Sequence, residues 1–136
     1  MSNTRNRPET LRLRGIAPSL TVDDLAASLR WYCDVLGFHR KQLWEDDGRT
    51  LGAELVAGSQ SLLLSQDDGA RGRDRVKGVG MRLYLETTQN VDDLAERVRA
   101  AGGTLETEPE DRPWGARTFD LVDPDGFLLT VSSPYS

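Results

Sequence analysis

The sequence predicts an α+β fold made of two tandem modules, each running strand, helix, strand, strand, strand. Three observations carry this. The pentapeptide VDDLA occurs twice, at Val22–Ala26 and Val91–Ala95, with starts 69 residues apart in a chain of 136. Around each copy, short alternating runs flank one run of helical period. Gly37 and Gly102-Gly103 stand where helix C-terminal glycines belong. A good helix start alone would explain one VDDLA. Element order and glycine placement recurring with it read as one module written twice.

The elements follow in order. "LRLRGIAPSLTV" (11–22) alternates in places, as a half-buried strand does. Asp23 or Asp24 supplies an N-cap. "LAASLRWYCDVLGF" then sets Leu25, Leu29, Tyr32, Cys33 and Leu36 at helical spacing. Strand-like runs follow at 38–45, 50–57 and 60–65, joined by "DDG" and "GS", both good turn chemistry. The charged, glycine-bearing stretch "QDDGARGRDRVKG" (66–78) has no periodicity and reads as a linker. In the second half, 79–87 alternates, with Met81, Leu83 and Leu85 as core. The second VDDLA opens a helix with Val91, Leu94, Val98 and Ala101 on one face. Strands are expected at 104–108, 115–122 and 126–133, with turns in "EDRPWG" and "DPDG". The chain is thus expected to divide into a disordered tail over 1–10 and a single domain over 11–136. Module one spans 11–66, the linker 67–78 and module two 79–134.

Composition narrows the function. Hydrophobic residues are 38% and charged residues 29%, ordinary for a globular protein. The net charge of −5 and the lack of a basic patch argue against nucleic acid as partner. No apolar run approaches the ~20 residues that span a membrane. "MSNTRNRPET" has no hydrophobic core and does not read as a secretory signal. One cysteine, Cys33, excludes an internal disulfide and fits a reducing cytoplasm, the expected location. No GxSxG, Walker loop or CxxC is present, and "GVG" at 78–80 precedes a strand, not a helix.

"LTVDDLAASLRWYCDVLGF" (20–38) resembles the first helix of the vicinal-oxygen-chelate, or glyoxalase/bleomycin-resistance, superfamily, and "PWGARTFDLVDPDGFLLTVSSP" (113–134) resembles its last hairpin. The resemblance implies two βαβββ modules forming a curved mixed sheet around a ligand cup, commonly in a dimer. That fold hosts lyases, dioxygenases, epimerases, thiol transferases and antibiotic-sequestering proteins, so it does not fix the function.

The family's enzymes usually hold a divalent metal with His, Glu or Gln on equivalent strands. Carried over, those positions fall at Ala17, near Arg82, at Thr130, and at Leu63 or Ser65. None carries such a donor, and a guanidinium cannot ligate a metal. The chain has one histidine, His39, which reads as a surface or satisfied side chain. Oxygen-only coordination by Glu54, Glu86 and Asp120 is the remaining route to a metal. The expectation is no metal and no cofactor.

Strand parity gives the cup lining. Ala17, Ser19 and Thr21 share one face of the first strand. Arg82, Tyr84 and Glu86 share one face of the fifth, Thr118 and Asp120 of the seventh, and Leu128, Thr130 and Ser132 of the last. Hydroxyls, an aromatic ring and a few charges suit an organic ligand held by stacking and hydrogen bonds. Trp44 and Trp114 either contact ligand or pack the core and a turn; Trp31 reads as structural. Arg82 needs a carboxylate such as Glu86, the blander pairing, or a ligand anion. The expected ligand-binding set is Ser19, Thr21, Trp44, Arg82, Tyr84, Glu86, Trp114, Thr118, Asp120 and Thr130.

These residues point to a metal-free, dimeric protein that sequesters a small aromatic or amphipathic molecule such as an antibiotic. The alternative is a lyase, isomerase or dioxygenase of the same superfamily, with oxygen metal ligands or with Glu86 or Asp120 as general base. A structural or regulatory dimer with a vestigial cup is the third reading.

Overall fold

The computed structural model describes residues 10–72 and 75–134; the tail expected over 1–10 lies, but for its last residue, outside them. Two four-stranded mixed sheets form. The first has strand order β1-β4-β3-β2, from β1 (Ser19–Val22), β2 (His39–Asp46), β3 (Arg49–Ala57) and β4 (Gln60–Gln66). The second repeats it as β5-β8-β7-β6, from β5 (Arg82–Glu86), β6 (Glu110–Asp111), β7 (Ala116–Val122) and β8 (Leu128–Pro134). In each sheet the first strand pairs parallel with the last, and the other pairings are antiparallel. A parallel pair needs a crossover, and each half supplies a helix before its three antiparallel strands.

Helix α1 (Leu25–Arg30) is capped by Asp24, whose carboxylate accepts the Ala27 amide at 3.2 Å. The expected α-helix does not continue to Leu36. Residues Trp31–Leu36 widen into a π-helical turn that ends at Gly37, with φ 104°. That turn seats Tyr32 wholly inside, with Trp31 edge-on at 4.8 Å and Phe38 at 5.9 Å. Helix α2 (Val91–Ala100) is capped by Asn90, which accepts the Asp93 amide at 3.0 Å. The two VDDLA copies therefore do different work. In the first, Val22 ends a strand and Asp24 is the cap; in the second all five residues lie within the helix. Burial agrees, since Ala26 is exposed and Ala95 is buried.

Alternation in the strands sends one set of side chains to a single core shared by both halves. Leu20, Val22, Leu55, Leu62 and Leu64 come from the first sheet; Leu83, Phe119, Leu121, Leu129 and Val131 come from the second. Helix residues Leu25, Leu29, Tyr32, Val91, Ala95 and Val98 fill the space between. The helix-free face of each sheet stays outside this core.

Three expected strands are corrected. Only Ser19–Val22 of the run from Leu11 is strand, and Leu11, Leu13 and Ile16 are exposed. No neighbouring strand pairs with them, and Pro18 cannot donate to a ladder. The run at 79–87 becomes strand only at Arg82, and Met81, expected in the core, is 41% exposed. Gly78 and Gly80 have positive φ and hold the segment before Arg82 in a turn. Residues 104–108 are not a strand; the pairing with β7 falls instead on Glu110–Asp111, within the stretch read as a turn. The Thr107 hydroxyl takes the Asp120 amide in place of a backbone carbonyl, and Pro109 has no amide to give, so no ladder forms before Glu110. Ala101, expected on the packed face of α2, is exposed beyond the helix end, while Ala95 is buried.

Candidate functional site

Strand alternation that buries one set of side chains presents the other on the helix-free face. On the second sheet these include Arg82 and Tyr84 of β5, Thr130 and Ser132 of β8, and Thr118 and Asp120 of β7. Register brings them together: Tyr84 lies opposite Thr130 and Asp120 opposite the same residue on its other side. The result is a hydrogen-bonded chain. Arg82 Nη1 donates to Thr130 Oγ1 at 2.7 Å, and that hydroxyl donates to Asp120 Oδ1 at 2.7 Å. Arg82 Nη1 lies 3.7 Å from the same carboxylate oxygen. Tyr84 donates its hydroxyl to Ser132 at 3.0 Å, and Arg112 Nε donates to Thr118 at 2.8 Å. Arg82 therefore takes Asp120, not Glu86, as its carboxylate. Residues Arg82 and Glu86 are four apart on an edge strand, whose inner neighbour β8 supplies Thr130 with Asp120 of β7 beside it.

A shallow depression of about 650 Å³ opens beside this cluster. Arg82, Asp120 and Glu106 supply its charges, Met81, Val122 and Leu128 its apolar wall, and Gly78, Gly80 and Gly126 its backbone. A second depression, of about 320 Å³, lies where the first sheet meets the linker and includes Thr21, Ser65, Asp67 and Arg75. There Lys77 binds Asp23 at 2.5 Å and Asp67 at 2.9 Å. Hydrogen bonds from Lys77 and then from the Gly69 amide hold the Asp67 carboxyl down at about 2.

The expected residues distribute as follows. Arg82, Thr130 and Asp120 are in mutual contact. Tyr84 stands half-exposed next along β5, and Glu86 is exposed at its end. Thr118 is buried, its hydroxyl held by Arg112. Ser19 and Thr21 are on the first sheet, Ser19 exposed and Thr21 at the smaller depression. Trp44, 41% exposed, leans over Gly52: a Cβ there would lie 3.3 Å from its ring and 2.9 Å from the Leu64 carbonyl oxygen. Glycine thus lets the indole lie close to the sheet. Trp114 is 66% exposed in its turn and borders neither depression, so it packs no core. Reading by parity did not single out Glu106, Arg112 or Met81. Arg112 sits in a turn with no period to read, Glu106 in the run at 104–108, expected as a strand and not one, and Met81 alternates with Arg82 as a core residue would.

The donor set does not fit a divalent cation. The positions that would carry ligands hold Arg82 and Thr130, which bond to each other. The oxygen-only set does not converge: Glu54 lies on the first sheet with Ser61 at 3.0 Å and Lys41 at 3.6 Å, while Asp120 is held by Thr130 and Arg82. Among the described residues, no group of three or more His, Cys, Asp or Glu is placed to hold a metal ion. Among the described residues no helix is long and apolar enough to cross a membrane.

Comparison with known proteins agrees with this architecture. The family model described as Glyoxalase/Bleomycin resistance protein/Dioxygenase superfamily matches residues 14–131. A bleomycin resistance protein of Geobacillus stearothermophilus is 28% identical over 125 residues, covering 83% of this chain and 91% of its own length. An uncharacterized protein of Mycobacterium bovis is 28% identical over 128 residues, 88% of this chain and 82% of that protein. Among solved structures, TioX from Micromonospora sp. ML1 has a TM-score of 0.72 at 21% identity, over 88% of this chain and 98% of that one. TnmS3, an antibiotic binding protein from Streptomyces sp. CB03234, has a TM-score of 0.71 at 22% identity, over 92% and 99%. At such identities the structural likeness speaks for the fold. The family match runs from the approach to β1 into β8, across both sheets and both helices, and on that ground the chain belongs to the glyoxalase/bleomycin resistance protein/dioxygenase superfamily.

Proposed function

We propose that this protein binds a small aromatic or amphipathic organic molecule on the helix-free faces of its sheets, without a metal. The observation that carries the reading is the Arg82–Thr130–Asp120 chain, which fills with a guanidinium and a hydroxyl the positions where an enzyme of this fold would need ligands. The half-exposed ring of Tyr84 supplies stacking surface beside it, and that of Trp44 supplies the same on the first sheet. A bleomycin resistance protein among the relatives and an antibiotic binding protein among the structural neighbours support an antibiotic as the ligand class. The faces of two copies would enclose such a ligand together, so the binding unit is a homodimer.

A thermal-shift screen of aromatic and amphipathic antibiotics, run with and without EDTA, tests this. A binder at one hundred times its dissociation constant adds about 2.7 kcal/mol. For a chain of this size that raises Tm by several degrees, and EDTA should not change it. A shift abolished by EDTA, or about one zinc, iron, nickel or manganese per chain in elemental analysis, would overturn the metal-free reading.

A further inference from the structure

We infer that the outward edge of the Arg82 guanidinium is the polar anchor for the ligand, and that it takes a neutral carbonyl oxygen rather than an anion. The inference rests on the binding reading above and names the group that is recognised. Arg82 is anchored through Nη1 alone, to Thr130 at 2.7 Å. Among the described residues no partner falls on its Nε or Nη2, and half of the side chain is exposed. A guanidinium presents its donors in one rigid plane, so fixing Nη1 also fixes the direction of the unused ones. Arg82 borders the depression of about 650 Å³, whose wall is Met81, Val122 and Leu128. An apolar body against that wall leaves an oxygen acceptor at its edge within reach of the fork.

Charge selects the kind of acceptor. Asp120 already sits 3.7 Å from Nη1 and balances the guanidinium, and Glu106 lines the same depression. A carboxylate entering there would meet two negative groups against one positive. An amide, lactam or quinone carbonyl gains the hydrogen bonds without that repulsion. Thr130 supports the same geometry: its single proton goes to Asp120, so its oxygen is free to receive Nη1 and cannot also donate to a ligand.

Three naphthalene probes test it: 2-naphthamide, 2-naphthoate and 2-naphthylmethylammonium, titrated by NMR into the wild-type protein and into Arg82→Met. The wild type should bind the amide about tenfold more tightly than the carboxylate, with a shift of the Arg82 Nε–H resonance on adding the amide. Arg82→Met, checked by its melting curve, should weaken amide binding about tenfold and leave the ammonium probe no weaker. If the amide binds the variant as well as the wild type and the Nε–H resonance does not move, the anchor is wrong while the binding reading stands. Tighter binding of the carboxylate would overturn the choice of a neutral acceptor. Failure of all three probes to bind the wild type would overturn both.

Discussion

Tyr32 has no exposed surface, yet its hydroxyl reaches the other half of the molecule. It donates to Asp123 Oδ2 at 2.6 Å, and Asp123 Oδ1 accepts the amides of Asp125 and Phe127 at 2.9 and 2.8 Å. Asp123 is itself 4% exposed, so each of these bonds satisfies a carboxylate withdrawn from water. Burial first, then the charge of Asp123, raises the phenol above its ordinary value and keeps it a neutral donor. Replacing Tyr32 with Phe keeps the ring packing and removes one partner from a buried anion. A hydrogen bond to a charged group contributes about 1.5–3 kcal/mol, and denaturant unfolding of Tyr32→Phe should lose that much. Loss of under half a kilocalorie, on the order of a surface substitution, would mean water replaces the hydroxyl. The sequence placed Tyr32 on the packed side of a helix. It gave no sign of Asp123, 91 residues away, as its partner.

At the scale of elements, the linker is fastened to the start of α1. Lys77 bridges Asp23 and Asp67, and Gln66 donates to the carbonyls of Val22 and Asp23 while accepting the Leu25 amide. Gly78 presses so closely on the DPDG turn that a Cβ would lie 2.6 Å from the Gly126 carbonyl oxygen. That turn returns the contact, since Asp125 accepts the Asp23 amide at 2.8 Å. The stretch that reads in sequence as a structureless spacer is thus held to both halves. Asp67 carries a pH consequence. Its carboxyl is depressed from 3.8 to about 2, so the folded state binds its proton less readily than the unfolded chain. The stabilisation is complete above about pH 4 and disappears as pH falls through about 2. Lys77→Met should therefore be less stable than wild type near neutrality, and the gap should close between these values in acid unfolding curves. A constant gap down to pH 2 would show that Lys77 acts through packing alone.

Over the whole molecule, the two sheets turn one face each to a shared core and leave the other uncovered. Trp44, Leu51, Met81, Tyr84 and Val122 are each more than a third exposed, and the edge strands β1 and β5 have one unpaired side each. An uncovered edge and apolar surface of this kind are usually covered by a partner. A two-fold dimer is the commonest closed solution. Light scattering at tens of micromolar should give a mass near twice 15.1 kDa; a value near 15.1 kDa itself would reject the dimer.

Local pattern in the sequence sufficed for the element order, the starts of the two helices and the strand face that Arg82, Tyr84, Thr130 and Asp120 share. Each depends on the period of side chains along the backbone or on residue chemistry, and both are written in consecutive letters. Long-range pairing was out of reach. VDDLA supplies the cap of a helix in one half and lies inside one in the other, because Asn90 caps the second while Thr21, ahead of Val22, is held with it in β1 against β4. The partner of Arg82 is Thr130, then Asp120, because the β5–β8 and β7–β8 registers set Tyr84 and Asp120 on either side of Thr130, one step along the face from Arg82, and register depends on how the chain closes on itself. The depression beside Arg82 is walled by residues from the linker, β5, β7, β8 and the irregular segment before β6; only folding brings those distant segments together.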